Sequence, residues 1–351
     1  MKIGIPAEIK PQEGRVALIP DAAAQLVAQG HDVYLQTQAG IHSGYSDDQY
    51  LKSGVKILAN AQSLYDTAQM IVKVKEPVEA ELNFLRKDHL LFSYLHLAAL
   101  PELTQKLCAI GLKAIAFETV QTANGSLPLL APMSDIAGRL SIQIGTHLLH
   151  SSMGGRGVLL GGVPASQRGK VVILGGGMAG ANATLLAAGL GAEVVVFERD
   201  HEKMVSLRNI GANVTVLYPH QKSIQAQIKE ADLLIGAVLI VGEKSPLLVS
   251  ENDVMQMQAG SVIIDISVDQ GGCIETTLPT SFAAPTYVKH GVIHFGVTNM
   301  PGSVPRTASE ALSASLISYI IELANSPEQL SVALQAGVNI EAGVIMHPAL
   351  K

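Results

Sequence analysis

Three glycines and one acid form the pattern in this chain that most clearly indicates a particular chemistry. Gly175, Gly177 and Gly180 follow an apolar β-branched run and precede alanine-rich helical sequence, and Glu198 ends the next β-branched run. In dinucleotide-binding turns the first glycine permits a tight turn, the second lets the backbone approach a pyrophosphate, and the third lets helix and strand pack closely. The acid accepts a hydrogen bond from a ribose. Since strand, helix, strand and acid occur in the required order, the sequence predicts a dinucleotide-binding site.

Basic side chains end two apolar runs in the first third of the chain. Lys73 and Lys75 lie on one face of the predicted strand Met70–Lys75, and His96 directly follows the predicted strand His89–Leu95. Carboxyl ends of parallel strands meet at the edge where α/β proteins bind ligands. A solvated sheet edge is the ordinary interpretation of Lys73, which leaves Lys75 as the better candidate for binding. For His96, a core histidine and a catalytic histidine both fit the pattern.

Three further polar residues follow turns or strand ends. Arg15 follows a turn, where a guanidinium can bind a carboxylate through two parallel hydrogen bonds, although a surface arginine fits equally well. Asp269 lies just beyond the predicted strand Ser261–Asp265, in the region where nicotinamide rings rest in this architecture. Asn299 follows the last predicted strand of the nucleotide-binding segment. Asp269 and Asn299 also suit ordinary turns next to glycine.

Composition excludes several classes of protein. With 48% apolar and 15% charged residues, the 351-residue chain is neither disordered nor limited to one small core. A net charge of −6 with no basic stripe argues against nucleic-acid binding. Two cysteines, Cys108 and Cys273, and histidines without ligand spacing predict neither disulfides nor a metal site. Without a signal peptide or an apolar run of about eighteen residues, a cytoplasmic protein that does not enter a membrane is expected.

Strand-like and helix-like segments alternate along the chain, which predicts an α/β fold with mostly parallel sheets. The nucleotide-binding segment, a doubly wound parallel sheet, interrupts a first domain that a C-terminal helix at Ala308–Ala324 completes. We therefore expect a discontinuous substrate domain at 1–128 and 306–351, and an NAD-binding domain at 129–305.

The motifs together resemble the bacterial alanine dehydrogenase family along nearly the whole chain. The matching segments occur in one order: Ile3–Glu8, Arg15–Ala17, Val72–Pro77, Leu95–Ala99, Phe117–Gln121, Leu127–Ser134, Ala137–Arg139, Gly154–Gly157, Gly161–Pro164, Asp265–Gly272, Asn299–Pro305 and Gly337–Asn339. Many separate segments in one order are far more specific than the glycine turn alone.

The resemblance implies two Rossmann-like domains with the catalytic cleft between them. It implies NAD-dependent oxidative deamination of L-alanine to pyruvate and ammonium, and the reverse reductive amination. His96 and Asp269 would be catalytic, and Arg15, Lys75, Met133 and Asn299 would bind substrate. The residues implied to bind the cofactor are Ser134, Gly175, Gly177, Gly180, Glu198, Lys203, Ile266, Val297 and Met300.

Two other functions are compatible with the pattern: the NAD(H)-binding soluble subunit of a transhydrogenase, and a non-catalytic NAD sensor. Arg199, next to Glu198, could accept the 2′-phosphate of NADP. The chain reads Tyr218-Pro219-His220 where relatives often carry serines near the adenosine. The resemblance also implies a homohexamer, although the tail after Ala324 looks shortened.

Overall fold

The computed structural model describes residues 1–238 and 245–351, which form two compact units. Unit 1 comprises Met1–Met133 and Gly302–Lys351, and unit 2 comprises Ser134–Pro301. The chain leaves unit 1 within the helix Ala131–Leu148 and returns to it within the 3-10 turn Met300–Ser303. In the amino-acid sequence, unit 2 is therefore inserted between the two segments that make up unit 1.

The strands and helices of the described residues are numbered here in chain order. The strands are β1 (Lys2–Ile5), β2 (Asp32–Gln36), β3 (Lys56–Leu58), β4 (Met70–Val72), β5 (Leu90–Ser93), β6 (Lys113–Ala116), β7 (Lys170–Leu174), β8 (Glu193–Phe197), β9 (Val214–Leu217), β10 (Leu233–Gly236), β11 (Val262–Asp265), β12 (Thr286–Lys289), β13 (Val292–Phe295), β14 (Val338–Glu341) and β15 (Val344–Ile345). The helices are α1 (Pro20–Ala28), α2 (Asp47–Lys52), α3 (Ala61–Thr67), α4 (Glu79–Leu82), α5 (Pro101–Ile110), α6 (Ala131–Leu148), α7 (Met178–Gly189), α8 (His201–Arg208), α9 (Gln221–Ile228), α10 (Glu251–Val254), α11 (Pro305–Asn325) and α12 (Val332–Gly337).

Each unit contains one sheet, and the two sheets share a strand order. In unit 1 the order is β3-β2-β1-β4-β5-β6, extended by the antiparallel strands β14 and β15. In unit 2 it is β9-β8-β7-β10-β11-β13, extended by the antiparallel strand β12. The first six strands of each sheet are parallel and follow the order 3-2-1-4-5-6 of dinucleotide-binding folds. The predicted α/β class with two Rossmann-like halves is confirmed.

The strand order reverses between β1 and β4 in unit 1, and between β7 and β10 in unit 2. Ligands of open α/β sheets bind beyond the carboxyl ends of the strands at such switch points. The segments that follow these strands are therefore the places to look for chemistry in each unit.

The central strands form because their sequences are apolar on both faces. Every residue of β10 and β11, and four of the five in β7 and β8, are buried. Parallel strands covered by helices on both sides have this continuous apolar pattern. The edge strands β3, β12 and β15 were not predicted, since they are partly exposed and only two to four residues long, too short for a strand pattern to stand out.

None of the helices described is long and apolar enough to cross a membrane. In residues 1–238 and 245–351, no group of three or more His, Cys, Asp or Glu side chains is placed to hold a metal ion.

Candidate active site

Arg15 lies buried at the switch point of unit 1 and is held by a neighbouring carboxylate. Its side chain is 2% exposed, so the alternative of a surface arginine was wrong. Nε donates to Glu13 Oε1 at 2.6 Å, Nη2 donates to Glu13 Oε2 at 2.5 Å, and Nη1 lies 3.1 Å from the Met133 sulfur. Burial opposes the charge, but the hydrogen bonds and charge of Glu13 outweigh it and raise the pKa of Arg15. Arg15 is therefore a fixed, permanent cation.

Lys75 adds a second cation near Arg15. It lies three residues beyond the end of β4, and its main chain is fixed because Ser93 Oγ donates to the Lys75 carbonyl at 2.8 Å. Within the described part of the chain, no hydrogen bond or ion pair engages its ammonium group. Burial, followed by the charge of Arg15, lowers the pKa of Lys75. Lys75 is half-buried, and an anionic ligand such as a carboxylate would stabilise the charged form of an ammonium group that has no ion-pair partner.

Lys73 has a different role from the one that the sequence predicted. The predicted strand to Lys75 ends at Val72, and the Lys73 side chain is 1% exposed instead of lying on a solvated edge. Its ammonium pairs with Glu81 at 2.9 Å and with Glu8 at 3.4 Å. Lys73 thus belongs to a buried ion-pair cluster with a structural role.

Glu8 connects this ion pair to Lys75. Its carboxylate accepts a hydrogen bond from the Val74 amide at 2.5 Å and another from the Lys75 amide at 3.4 Å. Burial raises the pKa of Glu8, against the effect of Lys73. The Lys73–Glu8 pair therefore fixes the main chain that presents Lys75.

His96 follows β5 in a left-handed backbone conformation. Its φ is 49° and its ψ 34°, which costs a residue with a Cβ roughly 1–2 kcal/mol. The imidazole is partly exposed and stacks on the Tyr94 ring, with centroids 6.1 Å apart and planes inclined by 12°. Strain of this kind persists only where the surroundings impose it and is frequent in active sites.

Two other histidines show what a core histidine looks like in this fold. His294 is buried, and its two ring nitrogens lie 2.7 Å from Thr276 Oγ1 and 3.0 Å from the Val292 carbonyl. His89 also has both ring nitrogens engaged, by the Arg86 amide and the Tyr65 carbonyl. Neither ring nitrogen of His96 has such a partner among the described residues. This contrast favours an imidazole available to a ligand.

The turn that contains Gly175 and Gly177 in unit 2 has the geometry that the dinucleotide-binding pattern requires. Gly175 has a φ of 94°, and a Cβ on Gly180 would lie 1.8 Å from the Gly175 carbonyl oxygen, so both positions require glycine. A Cβ on Gly177 would meet no atom within 4 Å. The fold itself therefore does not require glycine at 177. Open space beside the first turn of the twelve-residue α7 fits the close approach of a pyrophosphate, because the free amides there favour anions.

Glu198 lies against this turn. Its Oε2 accepts a hydrogen bond from the Gly176 amide at 2.9 Å, and its Oε1 accepts from the amides of Arg199 and Asp200 at 2.6 and 2.9 Å. A carboxylate has about four acceptor positions. One remains for a ribose hydroxyl.

Asp269 and Ile266 lie in the segment that follows β11. The buried carboxylate of Asp265 organises this segment by accepting hydrogen bonds from the amides of Ser267 and Cys273 and from the Thr277 hydroxyl, at 2.9–3.0 Å. Asp269 itself is exposed in the 3-10 turn Val268–Gln270.

Nearly the whole chain matches two family models in succession. Residues 4–137 match the alanine dehydrogenase/PNT N-terminal domain, and residues 141–348 match the alanine dehydrogenase/PNT C-terminal domain. The chain belongs to the alanine dehydrogenase/PNT family. It is 46% identical over 356 residues to an alanine dehydrogenase of Methanococcus maripaludis, covering 100% of this chain and 95% of that protein.

Solved structures agree with this family membership. A structure of an L-alanine dehydrogenase is 50% identical and superposes with a TM-score of 0.96, covering 100% of this chain and 98% of that one. The transhydrogenase from Sinorhizobium meliloti has a TM-score of 0.85 at 23% identity, covering 99% and 100%, and shares the fold.

In this alanine dehydrogenase/PNT family member, the predicted site residues fall into two sets. Unit 1 contains Arg15, Lys75, His96 and Met133, and it brings Arg15 against Met133. Unit 2 contains the other predicted residues: Ser134, Gly175, Gly177, Gly180, Glu198, Lys203, Ile266, Asp269, Val297, Asn299 and Met300. Lys203 is exposed on α8, and its amide donates to Asp200 Oδ1 at 3.0 Å.

Sequence reasoning missed the acids that hold these residues. Glu13 fixes Arg15, Glu8 fixes the main chain at Lys75, and Asp265 organises the segment with Asp269. Glu118 accepts hydrogen bonds from the amides of Leu95 and His96. The signal in the sequence was that all four acids lie in, or within two residues of, segments shared with the family.

Proposed function

We propose that this chain catalyses the NAD-dependent oxidative deamination of L-alanine to pyruvate and ammonium, and the reverse reductive amination. The observation that carries the proposal is the pair of cations in unit 1, the buried Arg15 and the half-buried Lys75. Arg15 is held rigidly by Glu13, while no salt bridge or hydrogen bond engages the Lys75 ammonium among the described residues. Full-length identity of 46% to an alanine dehydrogenase supports the substrate.

Arg15 and Lys75 bind the substrate in this proposal. Glu13 fixes the Arg15 guanidinium through Nε and Nη2, and the positive charge held there attracts the substrate carboxylate. Lys75 neutralises the remaining negative charge of the substrate carboxylate. Its ammonium group also faces the oxygen that becomes bonded to the substrate's Cα during the reaction. Fixed donors of this kind stabilise developing charge without having to reorganise. Orientation of the carboxylate presents Cα for reaction.

His96 and Asp269 handle the protons. The net reaction consumes L-alanine, NAD and water, and it yields pyruvate, ammonium, NADH and one proton. His96 accepts a proton from the water that adds to the oxidised substrate and returns one as the amine leaves. An imidazole suits both steps because its ordinary pKa is near neutrality. Asp269 orients the water or ammonia.

Unit 2 holds the cofactor in this proposal. When bound, NAD supplies the hydride acceptor of the oxidation. The turn at Gly175–Gly177 receives the pyrophosphate, and Glu198 accepts a hydrogen bond from the adenosine ribose. Ser134, Lys203, Ile266, Val297 and Met300 are proposed as further contacts from the family pattern.

The test is a spectrophotometric survey of the purified full-length chain. L-Alanine with NAD should produce absorbance in the NADH band, and pyruvate with ammonium should consume NADH. Serine, glycine and glyoxylate, each tested with NAD and NADP, define the specificity. Tight NADH binding without any turnover would favour a sensor, and hydride exchange between nicotinamide cofactors alone would favour a transhydrogenase subunit.

Gly177→Ala should weaken NADH binding at least tenfold and leave stability almost unchanged. The new methyl group meets open space in the fold, so only a pyrophosphate that approaches the turn would encounter it. Isothermal titration with NADH and urea denaturation measure the two effects. Gly189→Ala, at the other end of α7 and equally open, is the matched control and should keep NADH affinity. Equal affinities of both variants would contradict a pyrophosphate at this turn.

Glu198→Ser should weaken NAD binding by about one to two orders of magnitude and narrow the preference for NAD over NADP. A hydrogen bond to a charged group contributes about 1.5–3 kcal/mol. The substitution also removes the carboxylate whose negative charge disfavours the 2′-phosphate of NADP. Steady-state kinetics with NAD and with NADP measure the ratio of the two kcat/KM values. Glu193→Ser, at the exposed start of β8, is the control. An unchanged ratio would exclude Glu198 as the ribose acceptor.

We also propose that the chain acts in the cytoplasm as a homo-oligomer. The hexamer implied by the family resemblance is the assembly to test. Light scattering of the purified protein gives its mass directly.

A further inference from the structure

His96 depends on its main chain being held in an unfavourable conformation. A left-handed φ of 49° is uncommon for a residue with a Cβ, although histidine adopts it more often than most such residues. Contacts with neighbouring residues are therefore needed to keep His96 in this conformation.

The Glu118 carboxylate makes the contacts that impose this conformation. Oε1 accepts a hydrogen bond from the His96 amide at 2.6 Å, and both carboxylate oxygens lie 3.2 Å from the Leu95 amide. Two consecutive amides thus point at one negative charge. Hydrogen bonds to an ionised acceptor are shorter and stronger than neutral ones.

Sheet register explains why Glu118 reaches this loop. β5 and β6 are parallel neighbours, with Ser93 paired to Ala116. Glu118 lies two residues beyond Ala116 in the turn Phe117–Thr119, and Leu95 lies two residues beyond Ser93. The acid therefore lies beside the start of the His96 loop.

The turn that carries Glu118 is itself fixed from a third strand. The buried Asn339, in β14, donates through Nδ2 to Thr119 Oγ1 at 2.7 Å and to the Gly337 carbonyl at 3.0 Å. The hydrogen bond from Asn339 to Thr119 thus ties β14, the neighbour of β6, to the turn that carries Glu118.

We propose that Glu118 is a positioning residue for the reaction, which holds the His96 imidazole in its working place by anchoring the His96 main chain. This inference rests on the proposed function and assigns Glu118 no contact with substrate. Its carboxylate acts through the Leu95 and His96 amides alone.

The inference is tested with Glu118→Ala and Glu118→Gln. Alanine removes both acceptors and should lower kcat for L-alanine about 10²-fold, the effect of a displacement near 1 Å, with NADH affinity unchanged. Glutamine should restore most of kcat, because its single carbonyl oxygen at the Oε1 position still reaches both amides. Glu79→Ala, an exposed acid of α4, is the surface control.

A double-mutant cycle separates positioning from a general loss of structure. In a His96→Asn background, Glu118→Ala should lower kcat no further, because the imidazole that it positions is gone. A full additional 10²-fold loss in that background would overturn the inference, as would wild-type kcat in Glu118→Ala.

A crystal structure of Glu118→Ala gives a readout besides activity. His96 should leave the left-handed region in this variant. An unchanged φ near 49° would overturn the inference even if the wild-type chain did not oxidise alanine, whereas inactivity of the wild type with a shifted φ would reject the proposed function alone.

Discussion

Lys75→Met reduces kcat/KM for L-alanine and pyruvate by a factor of about 30 or more and leaves the free energy of unfolding near the wild-type value. Loss of one partner from a desolvated charge pair costs about 2–5 kcal/mol, which corresponds to factors of roughly 30 to several thousand. Stability is preserved because the ammonium has no ion pair to lose in the described structure. Steady-state kinetics and urea denaturation provide the two measurements.

Lys73→Met is the matched control, two residues away on the same segment. Here the methionine leaves the buried carboxylates of Glu8 and Glu81 without their cation, so stability should fall by about 3–5 kcal/mol. Activity at low temperature, where the variant is folded, should fall less than in Lys75→Met. The reverse result would show that the two lysines had been assigned the wrong roles.

The pH dependence of KM provides an independent check on Lys75. Burial and the charge of Arg15 lower its pKa, so its positive charge is lost at a lower pH than that of an ordinary lysine. The KM for pyruvate should therefore rise on the alkaline side as Lys75 deprotonates. In Lys75→Met the KM should be high and should lack this alkaline rise.

His96→Asn lowers kcat about 10²- to 10⁴-fold and leaves the dissociation constant of NADH unchanged. General acid–base catalysis contributes factors of this size, and asparagine cannot exchange a proton near neutral pH. Asparagine is also among the residues that best tolerate a left-handed backbone, so the loop should keep its shape. Single-turnover kinetics and NADH titration measure the two quantities.

His150→Asn is the control for this substitution, because His150 is exposed in unit 2 and has no proposed role. The control should keep wild-type kcat. A His96→Asn variant that retained a third or more of wild-type kcat would remove His96 from the proton transfers, whatever the control showed.

The fingerprint around Gly175 and Glu198 could be predicted from the sequence because its requirements are local. A φ of 94° at Gly175 and the 1.8 Å approach at Gly180 permit glycine alone, and such constraints leave a readable pattern. The central strands were equally readable, since burial on both faces requires continuous apolar runs. Strand-end positions then pointed to Lys75, His96 and Asp269.

The sequence by itself determined the two-sheet α/β class, the cofactor turn and the strand ends where reactive side chains cluster. Tertiary structure decided which of those side chains are available: Lys73 is neutralised by Glu8 and Glu81, whereas the Lys75 ammonium is not. It also decided that His96 is no core histidine and that Glu118 anchors its main chain. The physical reason is that whether a charge is neutralised, or a hydrogen-bonding group is paired, depends on partners that are distant in the chain. Glu8, for example, precedes Lys73 by 65 residues. Local pattern cannot reveal those partners.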